Sequence, residues 1–352
     1  MSVLFEPLTI GPYRLKNRVI MAPLTRARAG AVRVPNALMA EYYRQRASAG
    51  LILSEATAVT PMGVGYADTP GLWSDEQVEG WTLVTDAVHR EGGLIFAQLW
   101  HVGRISDPGF LDGALPVAPS AIAAPGTVSL VRPARPFVTP RALELAEIPA
   151  IVEAYRQAAI NAQKAGFDGV ELHGANGYLL AQFLEDGTNH RTDAYGGSIE
   201  NRARLMLEAV DAAISVWGAG RVGLHISPGG VVHGMTDSDP AATYGYVMRE
   251  MAKRRIAFIC SREARKPDWL GHALKRQFGG VYIANEAFTR ESAETALAAG
   301  EADAVAWGKA FIANPDLPAR FARAAVLNEP KPESFYAPGA EGYIDYPLLS
   351  VA

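Results

Sequence analysis

Short apolar runs recur along the chain, each followed by a stretch with helical period. The runs are VIMAPL from Val19, LILSEA from Leu51, LIFAQL from Leu94, GVELHG from Gly169, VGLHIS from Val222, IAFICS from Ile256, GVYIAN from Gly280 and AVAWGK from Ala304. Each is apolar enough to be buried on both faces, as strands of a parallel sheet are. Between them lie amphipathic stretches. After Glu147, the residues Ile148, Ile151, Val152, Tyr155 and Ala159 fall on one helical face, and Gly166 can end that helix. After Asn201, the residues Met206, Ala209, Val210, Ala213, Ile214 and Trp217 repeat the pattern. Eight strand–helix units predict a (β/α)8 TIM barrel, a single domain over 1–352. The alternative, a doubly wound sheet, is weakened because no G-x-G-x-x-G follows the first run.

Two pieces stand outside the repeat. LTIGPYRLKNR alternates around Gly11-Pro12 and predicts an N-terminal hairpin closing the barrel bottom. The stretch 101–146 follows the third strand, has seven prolines and lacks helical period. A connection of that length inside a compact domain usually carries function, here as a lid-like excursion.

Composition narrows the function classes. The chain has 352 residues, 49% hydrophobic and 20% charged, enough for a large core. A net charge of -4 gives no basic footprint for nucleic acid. No run reaches 18 apolar residues, so no membrane span is expected. Cys260 is the only cysteine, which excludes an internal disulfide and cysteine-based zinc or iron–sulfur sites. With no secretory signal in MSVLFEPLTIGPYRLKNR, a reducing cytoplasm is expected. The seven histidines lack metal spacing, so no metal is expected. Monomer and homodimer stay open.

Barrel active sites sit at the C-terminal ends of the strands. The runs end in Ala22-Pro23-Leu24-Thr25, Glu55-Ala56, Gln98-Leu99-Trp100, His173 with Asn176, His225 with Ser227, Arg262-Glu263, Asn285-Glu286 and Gly308-Lys309. The last two ends suit a phosphate, with Lys309 supplying charge and Gly308 close approach; a surface lysine after a turn is the plain alternative. On the fourth run, period two puts Glu171 and His173 on the inward face. His173 and Asn176 are converging donors able to hold a carbonyl oxygen that gains charge. Tyr178 keeps its proton at neutral pH and can give it up as a general acid. A polar cluster that merely fastens a loop is the competing reading. No His-Glu-x-x-His, Walker loop or Gly-x-Ser-x-Gly appears.

These motifs resemble the old yellow enzymes, flavin-dependent ene-reductases. They are MAPLTRARA from Met21, SEAT from Ser54, AQLWHVGR from Ala97, HGANGYLLAQFLEDGTNHRTDAYGGSIENRARL from His173, GMTDSDP from Gly234, FIANPDLPARF from Phe311 and FYAPGAEGYIDYP from Phe335. The resemblance implies FMN at the barrel mouth, with NADPH or NADH as reductant in a ping-pong cycle. It implies flavin contacts from Ala22, Pro23, Leu24, Thr25, Ala56, Gln98 and His225. It places the phosphate by Asn285, Glu286, Gly308 and Lys309. It implies that His173 and Asn176 bind the acceptor oxygen of an activated alkene (enones, maleimides, nitro compounds). Tyr178 would protonate carbon after hydride arrives from flavin N5, and Tyr66, Trp100 and Tyr336 would shape the substrate pocket.

The chain departs from the family in places. His225 stands where many members have an arginine beside flavin N1 and O2, and an imidazole is not a fixed cation. Lys309 replaces an arginine and loses its fork. Glu286 stands where a small residue is common, so either its side chain points away from a phosphate or the site is partly reorganised. Thr25 replaces the cysteine of one branch. Two other readings compete: a phosphate-binding barrel lyase or isomerase, for which the sixth run offers only Arg262 and Glu263, and a non-catalytic flavin carrier.

Overall fold

The computed structural model describes residues 2–131 and 133–349. The strands are β1 Leu8–Ile10, β2 Tyr13–Leu15, β3 Val19–Met21, β4 Ile52–Leu53, β5 Thr57–Ala58, β6 Ile95–Trp100, β7 Val117–Ala118, β8 Arg141–Ala142, β9 Gly169–Gly174, β10 Val222–Ile226, β11 Phe258–Arg262, β12 Val281–Asn285 and β13 Ala304–Trp307. The helices are α1 Ala37–Arg44, α2 Asp75–Arg90, α3 Ile148–Lys164, α4 Leu179–Leu184, α5 Ile199–Trp217, α6 Pro240–Arg254, α7 Gly271–Phe278, α8 Arg290–Ala298, α9 Lys309–Ala313 and α10 Leu317–Ala322. All eight apolar runs became parallel barrel strands, and the barrel closes because β3 pairs with both β4 and β13. The second run holds only β4, and β5 follows just beyond Ala56; both pair with β6. No described helix is long and apolar enough to cross a membrane.

The barrel interior is packed, not hollow. Ile20, Leu53, Phe96, Phe258 and Ile283 fill its lower part with Ile10 and Leu15 of the β1–β2 hairpin, which closes the bottom as expected. Gly169 and Gly223 make room for the two phenylalanines. A Cβ on Gly169 would lie 2.4 Å from the Phe96 ring, and one on Gly223 would lie 2.3 Å from Phe258. Any side chain there would drive the strand pairs apart. The larger core lies between the outer strand faces and the helices, where Val170 and Leu172 meet α3 and α5 residues such as Tyr155, Ala159, Met206 and Val210. Inward-facing Glu171 and His173 therefore alternate with outward-facing apolar residues.

Two further segments pack beside the strand ends. Described residues of 101–146 form no α-helix; β7 and β8 pair, and Ala124, Val128 and Phe137 pack on Trp100, Val102 and Ile105. The C-terminal motif is clamped by the arginines of the first motif. Arg26 donates to the carbonyls of Phe335 (3.1 Å) and Gly342 (2.8 Å), and Arg28 donates to those of Phe335 (2.7 Å) and Ser334 (2.8 Å). Tyr343 stacks on Tyr42 at 4.1 Å, with the Arg28 guanidinium 4.5 Å from its ring centre. The two motifs, more than 300 residues apart in the chain, are thus one structural unit.

Candidate active site

At the top of β9 the chain leaves the strand through Ala175 and Asn176, and Asn176 takes φ +58. A non-glycine residue rarely adopts this left-handed conformation, and here three contacts hold it. The Asn176 N–H donates to Ser227 Oγ (2.8 Å), its carbonyl pairs with His233 Nδ1 (2.9 Å), and its Oδ1 accepts from Arg262 Nη1 (2.9 Å). These partners come from β11 and the loop after β10, so two neighbouring units fix one side chain.

His173 is buried, and its Nδ1 accepts from the Ala175 N–H at 3.3 Å. A backbone N–H only donates, so the proton of the neutral ring sits on Nε2. Burial first, then the nearby His225 and Arg262, hold the imidazole well below its ordinary pKa of 6.5. The Tyr178 ring packs edge-on against His173 at 4.9 Å and against Trp100 at 5.0 Å. Its hydroxyl lies 2.9 Å from that of Tyr66. Burial and the neighbouring Tyr66 and Tyr336 phenols push the Tyr178 hydroxyl well above its ordinary 10.0, so it keeps its proton.

Below lies a buried polar layer. Gln98 Nε2 is 2.8 Å from Glu171 Oε2 and 3.1 Å from His225 Nδ1, and the His225 ring stacks on His173 at 5.5 Å. Glu171, His225 and Cys260 bring one ligand-type atom each within 4.8 Å of one another. Spacing in sequence could not show this grouping, because the three come from three different strands. Glu171 Oε2 already accepts from Gln98, so the group reads as a hydrogen-bonded layer.

Of the expected flavin contacts, Ala22, Ala56, Gln98 and His225 are buried at the strand ends, with Pro23, Leu24 and Thr25 half-buried beside them. Gly308 caps α9, and a Cβ there would lie 3.0 Å from Leu24. Lys309 is exposed. Asn285 spends its side-chain amide on the Ala306 carbonyl (2.8 Å). The Glu286 carboxylate turns to Arg262, 2.5 Å away. Of the expected pocket residues, Tyr66 stacks on Trp100 at 5.4 Å, while Tyr336 is 48% exposed on the clamped C-terminal segment. His190 stands apart from these residues, its backbone N–H donating to Ser120 Oγ.

Two contacts were missed from sequence. Arg262 was visible as a strand-end residue, but its contact with Asn176 was not. His233 lies in an irregular loop and packs on the Tyr178 ring at 5.5 Å with no periodic signal to mark it.

The residues suit a flavin. His225 Nε2 is buried without a partner among the described residues, as is Trp100 Nε1. Gln98 adds an amide, and Gly308 caps the short helix α9, whose first N–H groups are directed toward that end. Such a donor set at a barrel mouth fits an aromatic ring with polar edges and a phosphate tail.

A family model described as NADH:flavin oxidoreductase / NADH oxidase matches residues 3–328. A protein of Leishmania infantum, described as a probable flavin mononucleotide-dependent alkene reductase, is 43% identical over 360 residues, covering 99% of this chain and 98% of the relative. 12-oxophytodienoate reductase 2 of Arabidopsis thaliana is 42% identical, covering 98% of this chain and 96% of that one. Morphinone reductase in complex with tetrahydroNAD matches with a TM-score of 0.95 at 50% identity, covering 99% and 98% of the two chains. The old yellow enzyme homologue from Zymomonas mobilis matches with a TM-score of 0.96 at 45% identity, covering 98% and 99%. The chain therefore belongs to the NADH:flavin oxidoreductase / NADH oxidase family and is a flavin-dependent oxidoreductase of the old yellow enzyme type.

Proposed function

We propose that this enzyme is an FMN-dependent alkene reductase. It takes reducing equivalents from NADH or NADPH and adds hydrogen across a C=C bond activated by a carbonyl, imide or nitro group. The observation that carries this reading is the fixed donor sense of two side chains beside a protonated phenol. His173 must present Nε2–H, because Nδ1 is occupied by a backbone donor. Asn176 must present its NH2, because an arginine only donates and the atom it meets is therefore the amide oxygen.

When bound, the flavin supplies the hydride. The chain's own residues do the rest. His173 and Asn176 grip the acceptor oxygen, and both hydrogen bonds strengthen as negative charge grows there. Burial keeps His173 neutral, so it polarises by hydrogen bonding without taking a proton. Tyr178 holds a proton beside the substrate carbon and releases it once that carbon gains electron density. The Trp100, Tyr66 and Phe137 side chains wall the space and limit water. Asn285, Gly308 and Lys309 are the residues we propose for the phosphate end.

The test is direct. The purified protein should be yellow, bleach with NADPH or NADH without oxygen, and regain colour with cyclohexenone. A colourless protein that takes up no FMN refutes the proposal, and bleaching that no activated alkene reverses would leave only a flavin carrier.

A further inference from the structure

Glu286 takes φ +98 and Ala287 takes φ +58, so two consecutive non-glycine residues sit in conformations that disfavour a side chain. That backbone aims the Glu286 carboxylate at Arg262 Nε, 2.5 Å away, while Nη1 of the same guanidinium reaches Asn176 Oδ1 at 2.9 Å. The pair is 37% and 39% exposed at its side chains and lines, together with Asn176, a cavity of about 510 Å³. An ion pair so exposed adds little to stability. Its geometry nevertheless joins a strained loop to the amide that meets substrate.

We propose that Arg262 and Glu286 form a positioning relay: Glu286 orients Arg262, and Arg262 turns the Asn176 amide so that its NH2 faces the substrate oxygen. The inference rests on the proposed role of Asn176 and adds two residues to it. Without Arg262 the amide can rotate, and half of its orientations offer an oxygen to an oxygen. The guanidinium also brings a positive charge toward a place where negative charge develops, which favours the reacting state. Because Glu286 is held at positive φ, its replacement by glycine relieves the backbone while removing the carboxylate.

Five holoenzyme variants test this: Asn176→Ala, Arg262→Met, Arg262→Lys, Glu286→Gly and the double variant of the first two. Four quantities are read for each: FMN retention, the dissociation constant of oxidised enzyme for cyclohexenone from the flavin absorbance change, the rate of reoxidation by cyclohexenone, and the melting temperature. Arg262→Met is expected to weaken cyclohexenone binding several-fold and slow reoxidation roughly tenfold, with FMN retained. Arg262→Lys should restore part of the rate. Glu286→Gly should slow reoxidation without lowering the melting temperature, which a purely structural role would not produce. Adding Arg262→Met to Asn176→Ala should change little further. If Asn176→Ala is impaired while Arg262→Met is not, the relay is wrong and the role of Asn176 stands. If Asn176→Ala itself is unimpaired, that role fails and the relay with it. If Arg262→Met sheds FMN while Asn176→Ala keeps it, Arg262 is a cofactor ligand and the relay is overturned.

Discussion

The hydroxyls of Tyr66 and Tyr178 lie 2.9 Å apart, and the Tyr66 ring stacks on Trp100, which in turn meets Tyr178 edge-on. The proposed proton donor is thus aimed by a second phenol and not by a charged group. Tyr178→Phe removes the proton but keeps the ring in its aromatic cage. Reoxidation by cyclohexenone is expected to fall by roughly 10² to 10⁴, the range for a general acid, while flavin reduction by NADPH stays near wild type. Tyr66→Phe removes only the aim, so a smaller loss is expected. Stopped-flow measurement of both half-reactions decides it: equal reoxidation rates for wild type and Tyr178→Phe would remove Tyr178 as the proton donor.

His173 supplies a pH test. Burial, His225 and Arg262 all depress its pKa below 6.5, and in its proposed role the ring works in the neutral form. For a depressed base the neutral form persists as pH drops through 6.5 and is lost only near the lower folded value. The reoxidation rate should therefore show no step near pH 6.5 from this residue. Arg262→Met removes one depressing charge, while burial and His225 remain, so its acid limb should move to higher pH. A wild-type profile that halves near 6.5, unmoved in Arg262→Met, would contradict the assignment.

The barrel was legible because its strands obey a simple rule. Parallel strands covered on both sides are short and apolar, and Val19, Leu94, Val222 and Ala304 each open such a run. The grouping of His173, Asn176 and Tyr178 was legible because the three lie at the end of one strand within six residues. What stayed hidden joins different units. Arg262 meets Asn176 across 86 positions and Arg26 meets Gly342 across 316. Periodicity reports which face a residue shares, not which neighbour closes on it. Glu286 illustrates the limit: its departure from the family was visible, while its partner depended on a backbone turn at φ +98.

Glu55 links the SEAT motif to stability. It is fully buried, accepts from the Arg26 N–H at 3.2 Å, and burial pushes its carboxyl up to about 7 from 4.5. Between these values the folded state binds the proton and the unfolded state releases it. The stabilisation is therefore complete below 4.5 and lost as pH rises through 7. The gap corresponds to about 3 kcal/mol. Glu185 and Glu263, also pushed to about 7 by burial, act in the same direction. Glu55→Gln is expected to lose less stability than wild type between pH 5 and 8.5, with the other two carboxyls unchanged. Urea unfolding at both pH values measures it, and identical losses would rule Glu55 out.

The last test concerns His225, where the resemblance places an arginine in many relatives. The ring lies between Gln98 and Glu171, 3.5 Å from the carboxylate, and its Nε2 has no partner among the described residues. Glu171 Oε1 is likewise unpartnered. An arginine here would meet that carboxylate and bring a fixed positive charge to the layer below the flavin site. Reduction adds negative charge to the flavin, so a fixed cation should favour the reduced state. His225→Arg is expected to raise the FMN midpoint potential by tens of millivolts, since about 30 mV corresponds to 1.4 kcal/mol for a two-electron couple. It should also slow FMN loss on dilution. His225→Gln, which adds no charge, separates charge from shape and should stay near the wild-type potential. If His225→Arg holds FMN as before and its potential equals that of wild type, the layer beneath the flavin does not set its charge balance.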